Sequence, residues 1–146
     1  MSERLVLAAD HGGIDLKKEL VEGLREGGYT VTDIGTHGTE ACDYPDFAHT
    51  AARQILAGAH DRGILICGTG VGMAMSANRH AGIRAVNCSD VFTARYARTH
   101  NDANILTLGG RVIGYGLAWE IVKMWLTTPF SGDKRHVRRV TAIEPR

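Results

Sequence analysis

Gly63-Ile64-Leu65-Ile66-Cys67, followed at once by Gly68-Thr69-Gly70-Val71-Gly72, is the stretch on which the fold turns. Its first half is an unbroken apolar run of strand length, with no alternation that would let one face meet water. Such a run belongs to a strand covered on both faces, as in a parallel sheet. Reading outward, the glycine-rich turn leads into a helix towards His80, and Pro45 opens an earlier helix that runs to about Ala57. Further upstream lie a strand over Arg4 to Ala9, helical spacing of Leu16, Leu20, Val21 and Leu24 stopped by Gly27-Gly28, and a strand over Tyr29 to Ile34. Downstream come a strand over Ile83 to Cys88, a helix capped by Ser89 or Asp90 and ending near His100, and a strand over Ile105 to Leu108. A helix from about Tyr115 to Leu126 and a basic segment over about 131–146, compatible with one more helix, close the chain. Alternating strands and helices predict an α/β fold with a five-stranded parallel sheet between helical layers. Ligands of such folds bind beyond the carboxyl ends of the strands, so Asp10-His11, the 68–72 loop and Ser89-Asp90 are expected along one edge.

Composition narrows the class. The chain has 146 residues, 44% of them hydrophobic and 23% charged, which is ordinary globular usage and suits one domain over residues 1–146. Seventeen Lys and Arg against sixteen Asp and Glu leave a net charge of +1, which argues against a general nucleic-acid or membrane-surface binder. No apolar run approaches the ~20 residues of a membrane span, and the opening residues lack the pattern of a secretory signal. Cys42, Cys67 and Cys88 form no CxxC pair, so a disulfide framework is not expected and a reduced, cytoplasmic setting is. Seven histidines include no HExxH motif and no Cys/His cluster, so neither a metal nor another cofactor is predicted.

The residues able to carry chemistry each admit two readings. The loop from Gly68 to Gly72 could turn its backbone amides to an anion, although a tight strand-to-helix turn needs small residues in any case. It is neither the GxGxxG dinucleotide pattern nor a P-loop. Cys67 stands at the end of the central strand, beside a helix start that favours a thiolate, and could act as nucleophile or proton acceptor. Cys42 and Cys88 read as small buried hydrophobes. Asp10 beside His11 could orient the imidazole or hydrogen-bond a polyol, or the two could serve as a cap and a solvated ring. Tyr44 could meet a ligand or pack, and His100-Asn101 could do no more than end a helix. In the run Lys134 to Arg139, a helix would place Arg135 and Arg139 one turn apart, as a grip for one phosphate or as a solvated face.

Taken together the pieces resemble type B ribose-5-phosphate isomerases and related sugar-phosphate isomerases. The resemblance runs through AADHGG (8–13), DYPDFA (43–48), ILICGTGVGM (64–73), AGIRAV (81–86), HNDANILTLGGRV (100–112) and RHVRRVTAIE (135–144), in that order. It implies a Rossmann-like α/β/α sandwich that interconverts ribose 5-phosphate and ribulose 5-phosphate through a cis-enediolate. It also implies a homodimer, or a tetramer of paired dimers, with shared active sites and the basic 131–146 segment at the dimer interface. Matched motif by motif, Cys67 is the base, while Thr69 and the amides of Gly68, Gly70, Val71 and Gly72 hold the enediolate oxygen. His100 assists opening of the sugar ring, Asn101, Asp10, His11 and Tyr44 bind substrate, and Arg111, Arg135 and Arg139 bind it too, the last two as a phosphate clamp. His100, Asn101 and the three arginines are expected to reach the Cys67 loop of the other subunit. One branch of the family carries Glu just beyond the glycine loop in place of the thiol. Here Met73 occupies that position, which sets this chain with the thiol type.

Three other readings stay in view. A six-carbon sugar phosphate, such as allose 6-phosphate or galactose 6-phosphate, would use the same machinery. A non-catalytic phosphate-binding module would keep the loop and arginines without needing both Cys67 and His100. Redox sensing through Cys67 would lack a resolving CxxC partner.

Overall fold

The computed structural model describes residues 2–145. Five parallel strands, β1 (Arg4–Ala9), β2 (Thr30–Asp33), β3 (Arg62–Cys67), β4 (Ala85–Asn87) and β5 (Ile105–Gly109), stand in the order β2-β1-β3-β5-β4. Between and after them run α1 (Ile14–Glu26), α2 (Tyr44–Leu56), α3 (Val71–Ala77), α4 (Val91–Thr99), α5 (Tyr115–Thr127) and α6 (Lys134–Ile143). β3 is the central strand, paired with β1 and β5.

Side-chain alternation along the strands sorts the core into two layers. Leu5, Leu7, Ile64, Ile66, Leu106 and Leu108 pack with α1, α4 and α5 around Trp125. Val6, Ala8, Leu65, Cys67 and Ile105 turn to the other face, against Ala48, Ala51, Ala52, Met73 and Ala77 of α2 and α3. Each large aliphatic side chain fully buried here contributes about 1.5–3 kcal/mol. The small residues of α2 let that helix approach the sheet closely.

Two strands are shorter than the apolar runs suggest. β4 begins at Ala85 because Gly82 has φ +88° and the amide of Arg84 is taken by the side chain of Asn104, so pairing starts one residue later. β2 covers Thr30–Asp33, since the Asp33 carboxylate accepts the Gly35 amide and turns the chain out of the sheet. α2 starts at Tyr44, with Pro45 in its first turn. The basic terminal segment is helical over Lys134–Ile143, and Asp133 caps it by accepting the Arg135 amide.

From β1 the chain crosses outward to β2 and then back to the far side of β1 to form β3. The sheet order therefore reverses between β1 and β3, where a cleft opens at the carboxyl edge. No helix among the described residues is long and apolar enough to cross a membrane.

Candidate active site

Cys67 ends β3 almost fully buried, and its Sγ receives the amide N–H of Gly70 at 3.0 Å. Gly70 itself is left-handed, with φ +83°, which turns the chain into α3, and a Cβ there would meet the side-chain oxygen of Asn87 at 2.2 Å. In the same turn Thr69 Oγ1 accepts the Val71 amide at 3.2 Å. Two loop amides thus hold the thiol and the hydroxyl in place, a refinement of the expectation that every amide of the loop faces an anion. α3 is only seven residues long, so the loop's own N–H groups matter more here than a helix dipole.

Asp10 follows β1 and is buried; its Oδ1 accepts the Gly12 amide at 2.8 Å. His11 comes next, and its Nδ1 accepts the backbone N–H of Cys42 at 3.3 Å. Tyr44 lays its ring on Gly72, where an added Cβ would lie 2.6 Å from the ring. Asp10, Tyr44, Cys67, Gly68, Thr69, Val71, Gly72 and Met75 line a cleft of about 380 Å³. A second hollow of about 580 Å³ shares Asp10 and Tyr44 and adds His11 and Cys42. The pair is large enough for a phosphorylated sugar.

Arg111 departs from expectation. It lies against its own chain's loop, with Nη1 3.4 Å from where a Gly68 Cβ would stand. The cause is backbone pairing: the Gly110 amide donates to the Cys67 carbonyl at 2.8 Å and the Arg111 amide to the Gly68 carbonyl at 3.0 Å. The turn after β5 is thereby fastened to the glycine loop, and the guanidinium adds positive charge to the cleft.

His100 and Asn101 lie elsewhere. They end α4 and precede β5, at the amino-terminal edge of the sheet, while Cys67 stands at the carboxyl edge. The length of β5, about 16 Å at ~3.3 Å per residue, separates the two edges. The His100 ring packs between Tyr96 and His136, at centroid distances of 4.7 and 4.2 Å. His136 is buried and bonds Ser131 Oγ through Nδ1 at 2.7 Å, which fixes α6 beside His100. Arg135 and Arg139 flank His136 on α6, exposed and one turn apart. Burial holds His136 below the ordinary histidine range, and the neighbouring His100 and the α6 arginines act in the same direction.

One chain therefore carries the candidate residues in two separate groups: Asp10, His11, Tyr44, the Cys67 loop and Arg111 at one edge, and His100, Asn101, Arg135 and Arg139 at the other. Ser89-Asp90 joins neither, since Asp90 caps α4 through the Thr93 amide at 2.6 Å. Among the described residues no group of three or more His, Cys, Asp and Glu side chains is arranged to hold a metal ion.

Lys17 escaped the sequence reading. It is fully buried and donates from Nζ to Asp33 Oδ1 at 2.7 Å and to the Thr36 carbonyl at 2.6 Å. The available signal was its place on the apolar stripe of α1, one turn before Val21. A lysine there needs a buried partner.

Comparison with known proteins adds the chemistry. The model of a family described as ribose/galactose isomerase matches residues 5–143. Ribose-5-phosphate isomerase B of Escherichia coli is 45% identical over 146 residues, covering 99% of this chain and 98% of that protein. A D-erythrulose-4-phosphate isomerase of Pectobacterium atrosepticum is 46% identical over 129 residues, covering 88% of this chain and 85% of that one. The solved structure of Clostridium thermocellum ribose-5-phosphate isomerase B superposes with a TM-score of 0.94 at 49% identity, over 96% of this chain and 94% of that one.

Proposed function

The chain belongs to the ribose/galactose isomerase family and is an aldose–ketose isomerase; from that premise we propose that its substrates are D-ribose 5-phosphate and D-ribulose 5-phosphate. The observation that carries the reading is the thiol of Cys67 in a cleft lined by Asp10, Tyr44 and Thr69, with the Arg111 guanidinium against the Gly68 edge of the loop. Isomerisation moves a proton between C1 and C2 through an enediolate, so it needs one base that can take the proton and return it. Cys67 serves as that base, and the Gly70 N–H donated to its sulfur holds it and stabilises the charged form. Thr69 and the remaining loop donors face the enediolate oxygen. Asp10 and His11 bind hydroxyls, and Tyr44 closes one wall.

His100 and Asn101 are one strand length from Cys67, so we assign them to the neighbouring site of a homodimer, where His100 opens the furanose ring. Arg135 and Arg139 of the same copy hold the phosphate as a pair on one face of α6. Val137 and Ile143, half exposed on that helix, suit the covered side of such an interface. The 131–146 segment is thus assigned to the dimer contact.

A second substrate reading has support of its own, because a close relative is a D-erythrulose-4-phosphate isomerase. Assays of the purified protein with ribose 5-phosphate, erythrulose 4-phosphate, allose 6-phosphate and galactose 6-phosphate, with Cys67→Ser as blank, separate the cases. Fastest turnover of ribose 5-phosphate, lost in the variant, is expected. A higher kcat/KM for a four- or six-carbon sugar overturns the pentose assignment and keeps the mechanism.

A further inference from the structure

We propose that Lys17 is a positioning residue, a buried clamp that sets the β2–α2 loop so that His11 and Tyr44 meet the substrate in one fixed geometry. The proposal rests on the substrate-binding roles given to those two residues above.

The clamp has three parts. Lys17 Nζ, fully buried under α1, bonds the Asp33 carboxylate and the Thr36 carbonyl, while Asp33 Oδ1 also accepts the Gly35 amide at 3.0 Å. Residues 35 and 36 are pinned to the end of β1 as well, since the Ala9 amide donates to the Gly35 carbonyl at 2.8 Å and the Thr36 amide to the Ala9 carbonyl at 2.6 Å. The loop therefore leaves the sheet from a fixed point beside Asp10. It returns at Cys42, whose N–H donates to His11 Nδ1, and enters α2 at Tyr44, whose ring rests on Gly72.

The consequence for His11 is chemical. With Nδ1 occupied as an acceptor, the neutral ring carries its proton on Nε2. It can then donate to a sugar oxygen. A loop that wanders by an ångström would lose both the tautomer and the donor direction, and misplacement on that scale can cost substantial activity. Burial alone would push the Asp33 carboxyl up, but the Lys17 and Gly35 bonds outweigh it and hold it below the ordinary carboxylate range. The carboxylate form of Asp33 that accepts both bonds is thereby favoured.

An apolar residue at position 17 would complete the α1 stripe; the polar pair instead ties α1 to the last residue of β2 and to the first residues of the loop that leaves it.

The test separates positioning from stability. Lys17→Met alone leaves Asp33 without its partner and can fail to fold, so the decisive variant is K17M/D33N, which removes both charges together. Two readouts are taken on protein shown by circular dichroism to be folded: the ¹⁵N spectrum of the His11 ring, and kcat and KM with ribose 5-phosphate. The expected result is loss of the single Nε2–H tautomer and a rise of KM by about tenfold or more, with kcat changed by less than about threefold, as removal of uniform binding requires. An unchanged His11 spectrum in the folded double variant overturns the clamp. A changed spectrum with wild-type KM overturns instead the substrate-binding role assigned to His11 and Tyr44.

Discussion

At Gly70 the backbone conformation and the crowding agree: φ is +83°, Asn87 stands 2.2 Å from the missing Cβ, and the Leu108 carbonyl carbon 2.9 Å from it. Gly70→Ala should therefore displace the amide that reaches Cys67 and strain the chain by about 1–3 kcal/mol. The expected outcome is a lower melting temperature together with a large loss of turnover; wild-type kinetics would show that the Gly70 amide is dispensable to Cys67. Cys67→Ser, which alters one buried atom, should melt near the wild type yet lose about 10²-fold or more in turnover, as loss of a general base does. Near-normal turnover in that variant would remove the thiol from the base role. The positions of the loop glycines and of Cys67 were readable from sequence because they follow directly from the end of an obvious strand. The direction of Arg111 was not, because it depends on two backbone bonds between segments more than 40 residues apart. Lys17 was missed for a related reason: a helical position is local information, whereas its partners are Asp33 at the end of β2 and Thr36 in the loop beyond it.

The elements behave as their patterns dictate, and the departures occur where a long-range bond intervenes. β1 follows its apolar run to the residue, while β2 and β4, the two edge strands, are trimmed by Asp33 and Asn104 side chains that no periodicity reveals. α6 is the element with the least support from the sheet, and its one buried side chain is His136. That histidine is held below its unfolded value near 6.5, so the unfolded state binds a proton more readily and stability falls as the solution is acidified through that region. Facing it are His100, Arg135 and Arg139, which disfavour a charged ring, and Asp133, which favours one. Hydrogen exchange of the α6 amides should thus show full protection above about pH 7 and progressive loss below about pH 6.5. Protection that does not vary between pH 5 and 8 would mean that the His136 contact does not hold the helix. Arg135→Ala should raise KM for a phosphorylated sugar while leaving melting unchanged, because the side chain is exposed; an unchanged KM would make the basic run a solvated surface.

At the scale of the molecule, the sheet separates the two groups of site residues and one chain has no means of bringing them together. The 33-residue spacing of Cys67 and His100 does not reveal that separation, but the order of strands and helices read from the sequence does. It follows from topology, because one residue ends a strand and the other precedes one. In the proposed homodimer an active site takes Cys67 from one copy and His100 from the other. This arrangement is tested most directly by mixing the Cys67→Ser and His100→Ala proteins after reversible dissociation, and following ribulose 5-phosphate formation. Each variant alone should be nearly inactive. Random pairing gives half the dimers one of each chain, with one of their two sites intact, so the mixture should regain about a quarter of wild-type activity. If mixed dimers form, as native mass spectrometry would show, and no activity returns, the shared site is contradicted.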